Sequence, residues 1–208
     1  MGIYYDQSGN GNNWTATDVV DSTNWLNNVM SFNGSSSYVD LWNSLNSVFT
    51  NSFNISFNIN KTSTNTSYID TLFSNRYSNL TWFSFYTAWA LGWQPWEIWI
   101  EIANTSSDRT SYSFNKIIEN GKYYHISLNY TYVWVWSVNT LSLFVNWERV
   151  FTSNTVKNIP STSNILYLWR DWYNNAYRII WDISSIKIYN KALSETEIQQ
   201  LYYSSYIN

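Results

Sequence analysis

The run EIWIE, residues 97–101, places Glu97 and Glu101 on one face of any strand that contains them, with Trp99 between them on that face. Two carboxyl groups about 5 to 5.5 Å apart are what retaining glycoside hydrolysis needs, one as nucleophile and one as general acid. Two long glutamates leaning together can close such a gap. The plainer reading of the same residues is a pair of solvated glutamates on a polar strand face. His125 is the single histidine, in KYYHISLNY. With no second histidine and no Ser/Asp arrangement beside it, no triad can be built on it, and it is expected to pack as a hydrogen-bonded interior residue. The sequence is therefore read as non-catalytic.

The elements that must carry these residues are strands. FNISFNIN (53–60) alternates strictly, with Phe53, Ile55, Phe57 and Ile59 on one face and Asn or Ser on the other, the pattern of a half-buried strand. TWFSFYT (81–87), YYHISLNY (123–130), TLSLFVN (140–146) and ISSIKIYN (183–190) read the same way. Helical periodicity enters only at the C-terminus. There Ser194 and Glu197 form a capping box, Leu193 and Ile198 occupy staple positions, and Leu201 and Tyr202 continue the stripe. SLFVNWERVF (142–151) has the outline of a hairpin turning at Asn146 and Trp147. A tight hairpin turn holds both central residues at positive φ, so Trp147 stands where glycine is expected. NKTSTNTS (60–67) reads as a low-complexity loop.

Taken in order, YYDQSGNGNNWT, MSFNGSSSYVDL, FNISFNIN, KYYHISLNY, LSLFVNWERV and SSIKIYNKALSETEIQQLY resemble the laminin-G-like domains of the concanavalin A-like lectin and glucanase superfamily, over nearly the whole chain. The resemblance implies an all-β fold: a two-sheet antiparallel jelly-roll sandwich, here with one short C-terminal helix. It implies carbohydrate or protein binding at cell surfaces, and hence a non-catalytic carbohydrate-binding or adhesion module of a bacterial surface or secreted protein. Its partner would be a glycan or a cell-surface protein. A spacer domain without ligand is the alternative. EIWIE also looks like the Glu-Ile-Asp-Ile-Glu strand of laminarinases and lichenases, which would make Glu97 and Glu101 the working pair, but Trp99 replaces the central aspartate that positions the nucleophile. Related jelly rolls often hold calcium. Asp6, Asn10 and Asn12 are the nearest match to such a site here, weakened because Ser184 and Ser185 replace an acidic pair, and an Asx turn without an ion is preferred. In the resembled pattern glycine stands where this chain has Trp14, Trp42, Trp147, Trp169 and Trp181. With 6 glycines against 14 tryptophans in 208 residues, these positions read as UGA codons from a host that decodes UGA as glycine. Trp147 and Trp181 are accordingly expected at turns or bulges, poorly packed.

Composition closes off other classes. A net charge of −3, a pI near 5.0 and scattered basic residues leave no footprint for a phosphate backbone, so nucleic acid is not an expected partner. No apolar stretch reaches the roughly 18 to 20 residues needed to cross a bilayer, and membrane insertion is not expected. The absence of cysteine excludes disulfides and thiolate metal sites. Residues 1–208 are expected to form one domain of a larger extracellular or cell-surface protein, lacking its first strand.

Overall fold

The computed structural model describes residues 2–24, 27–41, 45, 47–62, 69–76, 82–88, 97–104, 107–134, 138–159, 166–168 and 180–205. Two antiparallel sheets and one short helix make up the architecture, as the sequence predicts. The strands are β1 (Gly2–Tyr4), β2 (Trp14–Thr17), β3 (Val20–Asn24), β4 (Asn27–Ser31), β5 (Tyr38–Asp40), β6 (Phe53–Lys61), β7 (Ile69–Ser74), β8 (Trp82–Ala88), β9 (Glu97–Ala103), β10 (Arg109–Ile117), β11 (Tyr123–Thr131), β12 (Asn139–Val145), β13 (Glu148–Val156), β14 (Tyr167–Leu168) and β15 (Trp181–Tyr189), followed by α1 (Glu195–Ser204). The eight-stranded sheet runs β1-β2-β5-β14-β7-β8-β9-β10 and the seven-stranded sheet β13-β12-β11-β6-β15-β4-β3.

The core lies between the sheets because each alternating strand turns its apolar set inward. Phe53, Ile55, Phe57 and Ile59 of β6 meet Phe73 of β7, Phe83 and Phe85 of β8, and Ile98, Ile100 and Ile102 of β9. Phe49, Phe53, Phe73 and Phe83 form an edge-to-face cluster with ring centroids 4.9–5.9 Å apart along its T-shaped pairs, the arrangement that the aromatic quadrupole favours. A buried ion pair also links the sheets. Lys61 Nζ on β6 lies 3.9 Å from Asp70 Oδ2 on β7, and 5.9 Å from the ring centroid of Trp181. Burial pushes the Lys61 ammonium down to about 8, while the Asp70 charge opposes that fall.

Three expectations are corrected here. First, β6 is buried on both faces rather than one, because Asn54, Ser56 and Ser127 hydrogen-bond among themselves at 2.7–2.8 Å beneath the C-terminal segment. Asn129 fixes that segment, accepting from the Leu193 N–H at 2.8 Å and donating to the Leu193 carbonyl at 2.9 Å. Second, strand β6 runs through Asn60, as the alternation of 53–60 predicts, and on to Lys61, where a loop is expected; the rest of 60–67 lies outside the described residues apart from Thr62. Third, Trp181 is not at a turn. It opens β15, pairs with Lys61, and is fully buried with Ile183 on the core face. The irregularity of that strand comes later, between Ser184 and Lys187, where Ser185 takes φ 53°.

Candidate functional site

The hairpin and the helix form where the sequence places them. β12 and β13 pair Val145 with Glu148, leaving Asn146 (φ 51°) and Trp147 (φ 65°) as the turn. Asn146 secures it: its N–H donates to the His125 carbonyl at 2.9 Å, and its Oδ1 accepts from the His125 N–H at 3.0 Å. Trp147 is 44 % exposed, as expected of an indole forced to a left-handed corner. Trp14 is a half-buried strand residue opposite Tyr4, packed against the core. Trp42 and Trp169 lie outside the described residues.

The face that gathers functional groups is the outer side of β8, β9 and β10. Ile98, Ile100 and Ile102 point into the core, so Glu97, Trp99 and Glu101 point away from it. Register brings Tyr86 and Ser113 to either side of Trp99, and Ser84 and Ser111 to either side of Glu101. The Tyr86 and Trp99 rings are parallel within 5° with centroids 6.5 Å apart. Glu101 is buried; its Oε2 accepts from the Ser111 hydroxyl at 3.3 Å and lies 3.6 Å from Arg109 Nε. Ser84 shares a 2.8 Å hydrogen bond with Ser74 of β7. On a regular strand Glu97 and Glu101 are about 13 Å apart at their Cα atoms, and the stacked indole stands between them.

Tyr86, Ser84, Arg109 and Ser111 were not singled out from the sequence. Alternation in TWFSFYT already put Ser84 and Tyr86 on the face opposite Phe83 and Phe85, but only strand register shows that they adjoin Trp99 and Glu101. No local signal marks Arg109.

The other candidates lie elsewhere. His125 is 3 % exposed on β11 and meets Tyr202 of α1 edge-on at 6.0 Å; burial, aided by Lys187, pushes its pKa down to about 4. Asp6, Asn10 and Asn12 share a loop that closes on itself. Asp6 Oδ1 accepts from the Ser8 N–H at 2.8 Å and Oδ2 from the Asn12 N–H at 3.0 Å; the Ser8 hydroxyl first, and then these N–H groups, hold the Asp6 carboxyl below its usual range. Asn10 Nδ2 donates to Ser8 Oγ at 2.9 Å. This is Asx-turn geometry, in which the only carboxylate of the set accepts a backbone N–H on each oxygen. Among the described residues no group of three or more His, Cys, Asp or Glu could hold a metal.

No family model and no curated protein sequence matches the chain. Solved structures do. Domain 4 of AbnA, a GH43 extracellular arabinanase from Geobacillus stearothermophilus in complex with arabinotriose, superposes with a TM-score of 0.68 at 18 % identity, over 95 % of this chain and 91 % of that one. The botulinum neurotoxin type G receptor binding domain gives 0.69 at 15 % identity, over 96 % of this chain and 48 % of that one. A chain of botulinum neurotoxin type C, whose cell entry depends upon interaction with two ganglioside molecules, gives 0.70 at 15 % identity over 97 % and 48 %. This chain thus spans about half the length of the neurotoxin chains it matches. At such identities the likeness is one of fold: this chain is an antiparallel two-sheet β-sandwich similar to domains of carbohydrate-active and toxin proteins.

Proposed function

We propose that the chain is a non-catalytic glycan-binding module of the concanavalin A-like, laminin-G-like kind, and that the ligand lies on the outer face of β8, β9 and β10. The observation that carries this reading is the parallel Tyr86–Trp99 pair beside the buried, Arg109-linked Glu101. A flat aromatic ring stacks on the apolar face of a sugar at little entropic cost, while the buried Glu101, tied to Arg109 and Ser111, fixes β9 against β10 beside the rings. Trp99 is not among the residues with left-handed backbone, so its geometry does not ask for glycine as that of Trp147 does. The structural neighbours support the reading, since one holds arabinotriose and another enters cells through gangliosides. A binding module of this class would work outside the cell or at its surface.

Hydrolysis is disfavoured on the geometry. Glu101 is tied to Arg109 and Ser111, Glu97 lies beyond the indole, and the residue between them carries no carboxylate. Glycan-array screening followed by calorimetry on the best ligand tests the proposal. Trp99→Ala is expected to weaken binding at least tenfold with the fold retained by circular dichroism. Undiminished binding by Trp99→Ala would move the site elsewhere. Silence of the parent protein on the array, with and without calcium, would favour a spacer domain. Laminarin cleavage lost in Glu97→Gln would make the chain an enzyme.

A further inference from the structure

Lys61, at the end of β6, and Asp70, near the start of β7, meet between the sheets with both side chains 0 % exposed and Nζ 3.9 Å from Oδ2. Strand register sets further polar groups around them. Thr87 of β8 stands opposite Asp70, and Trp181 of β15 opposite Lys61, each fully buried. The Thr87 hydroxyl and the Trp181 indole N–H have no hydrogen-bond partner among the described residues. A buried donor left without an acceptor is costly, and native cores rarely keep one without a use. Here two such donors border one ion pair whose charges have themselves been taken out of water.

We propose that Lys61 and Asp70 condense inside the folded chain, forming an isopeptide bond that joins the two sheets covalently. The step balances without an oxidant, a reductant or a co-reactant. The ammonium gives one proton to the carboxylate, so the ion pair becomes a neutral amine and a carboxylic acid, the forms that a low-dielectric site favours. Burial already draws the Lys61 ammonium down to about 8, against the pull of the Asp70 charge. Nζ then bonds to Cγ of Asp70. The bond from Cγ to the carboxyl hydroxyl breaks, and that oxygen takes a second proton from the nitrogen and leaves as water. What remains is a neutral secondary amide. Two conditions favour it here over the same groups in solution. The fold holds amine and carboxyl side by side, and neighbours fixed in this way react as though highly concentrated. The water leaves a core lined by apolar side chains, which withholds the reactant that hydrolysis would need. The Thr87 hydroxyl and the Trp181 N–H supply donors for the negative charge that grows on the carboxyl oxygen as the nitrogen adds. The cross-link does not depend on the glycan face.

Intact mass spectrometry of the full chain, folded and incubated at neutral pH, is expected to show a deficit of one water molecule. Lys61 is the first lysine or arginine of the sequence and Arg76 the second, so a tryptic digest in urea reports where the water was lost. Trypsin does not cut after a lysine acylated on Nζ. Residues 1–76 should therefore stay in one peptide, whose fragment spectrum joins 61 to 70. The double variant Lys61→Met with Asp70→Leu removes both charges together and leaves no lone ion in the core; it is expected at its full mass. A parent chain at full mass and cut after Lys61 overturns the proposal and leaves an ion pair only. A water deficit that accompanies cleavage after Lys61, or that persists in the double variant, overturns it as well, because the dehydration then lies elsewhere, as in a succinimide.

Discussion

A left-handed backbone brings Cβ too close to the following carbonyl, at a cost of roughly 1–2 kcal/mol for any residue but glycine, and Trp147 bears that cost at φ 65° with its ring 44 % exposed. Trp147→Gly is therefore expected to raise stability by about 1 kcal/mol in urea unfolding, where an equal or lower midpoint would show that the indole contributes packing. The codon reading proposed for this position makes the further prediction that tandem mass spectra of the host's own protein show glycine at 147. His125 is a second residue whose cost is set by place. Its folded pKa of about 4 lies below the usual 6.5, so above 6.5 it is neutral in both states and no penalty exists. As pH falls from 6.5 through 4 the unfolded chain takes a proton that the folded chain refuses, and stability should drop by roughly 3 kcal/mol. Urea titrations at pH 7 and pH 4 measure this, and the drop should shrink in His125→Phe. At Asp6 the carboxylate already serves two N–H groups, so calcium is expected to leave the thermal midpoint unmoved relative to a chelated sample.

Among the elements, α1 shows how much a local code can carry. Ser194 Oγ accepts from the Glu197 N–H at 3.2 Å, and Glu197 Oε2 accepts from the Ser194 N–H at 2.8 Å, the reciprocal cap that Ser-x-x-Glu encodes. Leu193 and Ile198 of the staple are both buried, in a cluster with Phe144. Ser194→Ala is expected to cost about 1 kcal/mol, read as earlier hydrogen exchange in α1 than in β11. Lys191 and the Ser194 donors hold Glu197 down to about 2, so the cap should persist through mildly acidic solution and fail only as pH falls through that value. β6 teaches the opposite lesson. Its alternation announced one apolar face, and that face is where the sequence puts it; the burial of Asn54, Ser56, Asn58 and Asn60 on the other face depends on what lies over them and left no local sign.

For the molecule as a whole, Trp181 is the informative residue. It resembles a glycine position in sequence, yet it fills the space between the sheets beside the Lys61–Asp70 pair. Trp181→Gly should empty that space and cost about 3–5 kcal/mol, as large core truncations do, measured by chemical denaturation; a cost under about 1 kcal/mol would mean that the sheets close over the gap. The periodicity of two in FNISFNIN, YYHISLNY and EIWIE, the Asn146–Trp147 turn and the Ser194–Glu197 box determined strands, hairpin and helix by themselves, because side-chain alternation, positive φ and capping are set within a few residues. Pairing was decided elsewhere. That Tyr86 stands beside Trp99, that Arg109 reaches Glu101, and that Lys61 meets Asp70 across the core follow from strand register and sheet stacking. Those depend on contacts between segments tens of residues apart, whose burial energies count only once the sandwich has closed.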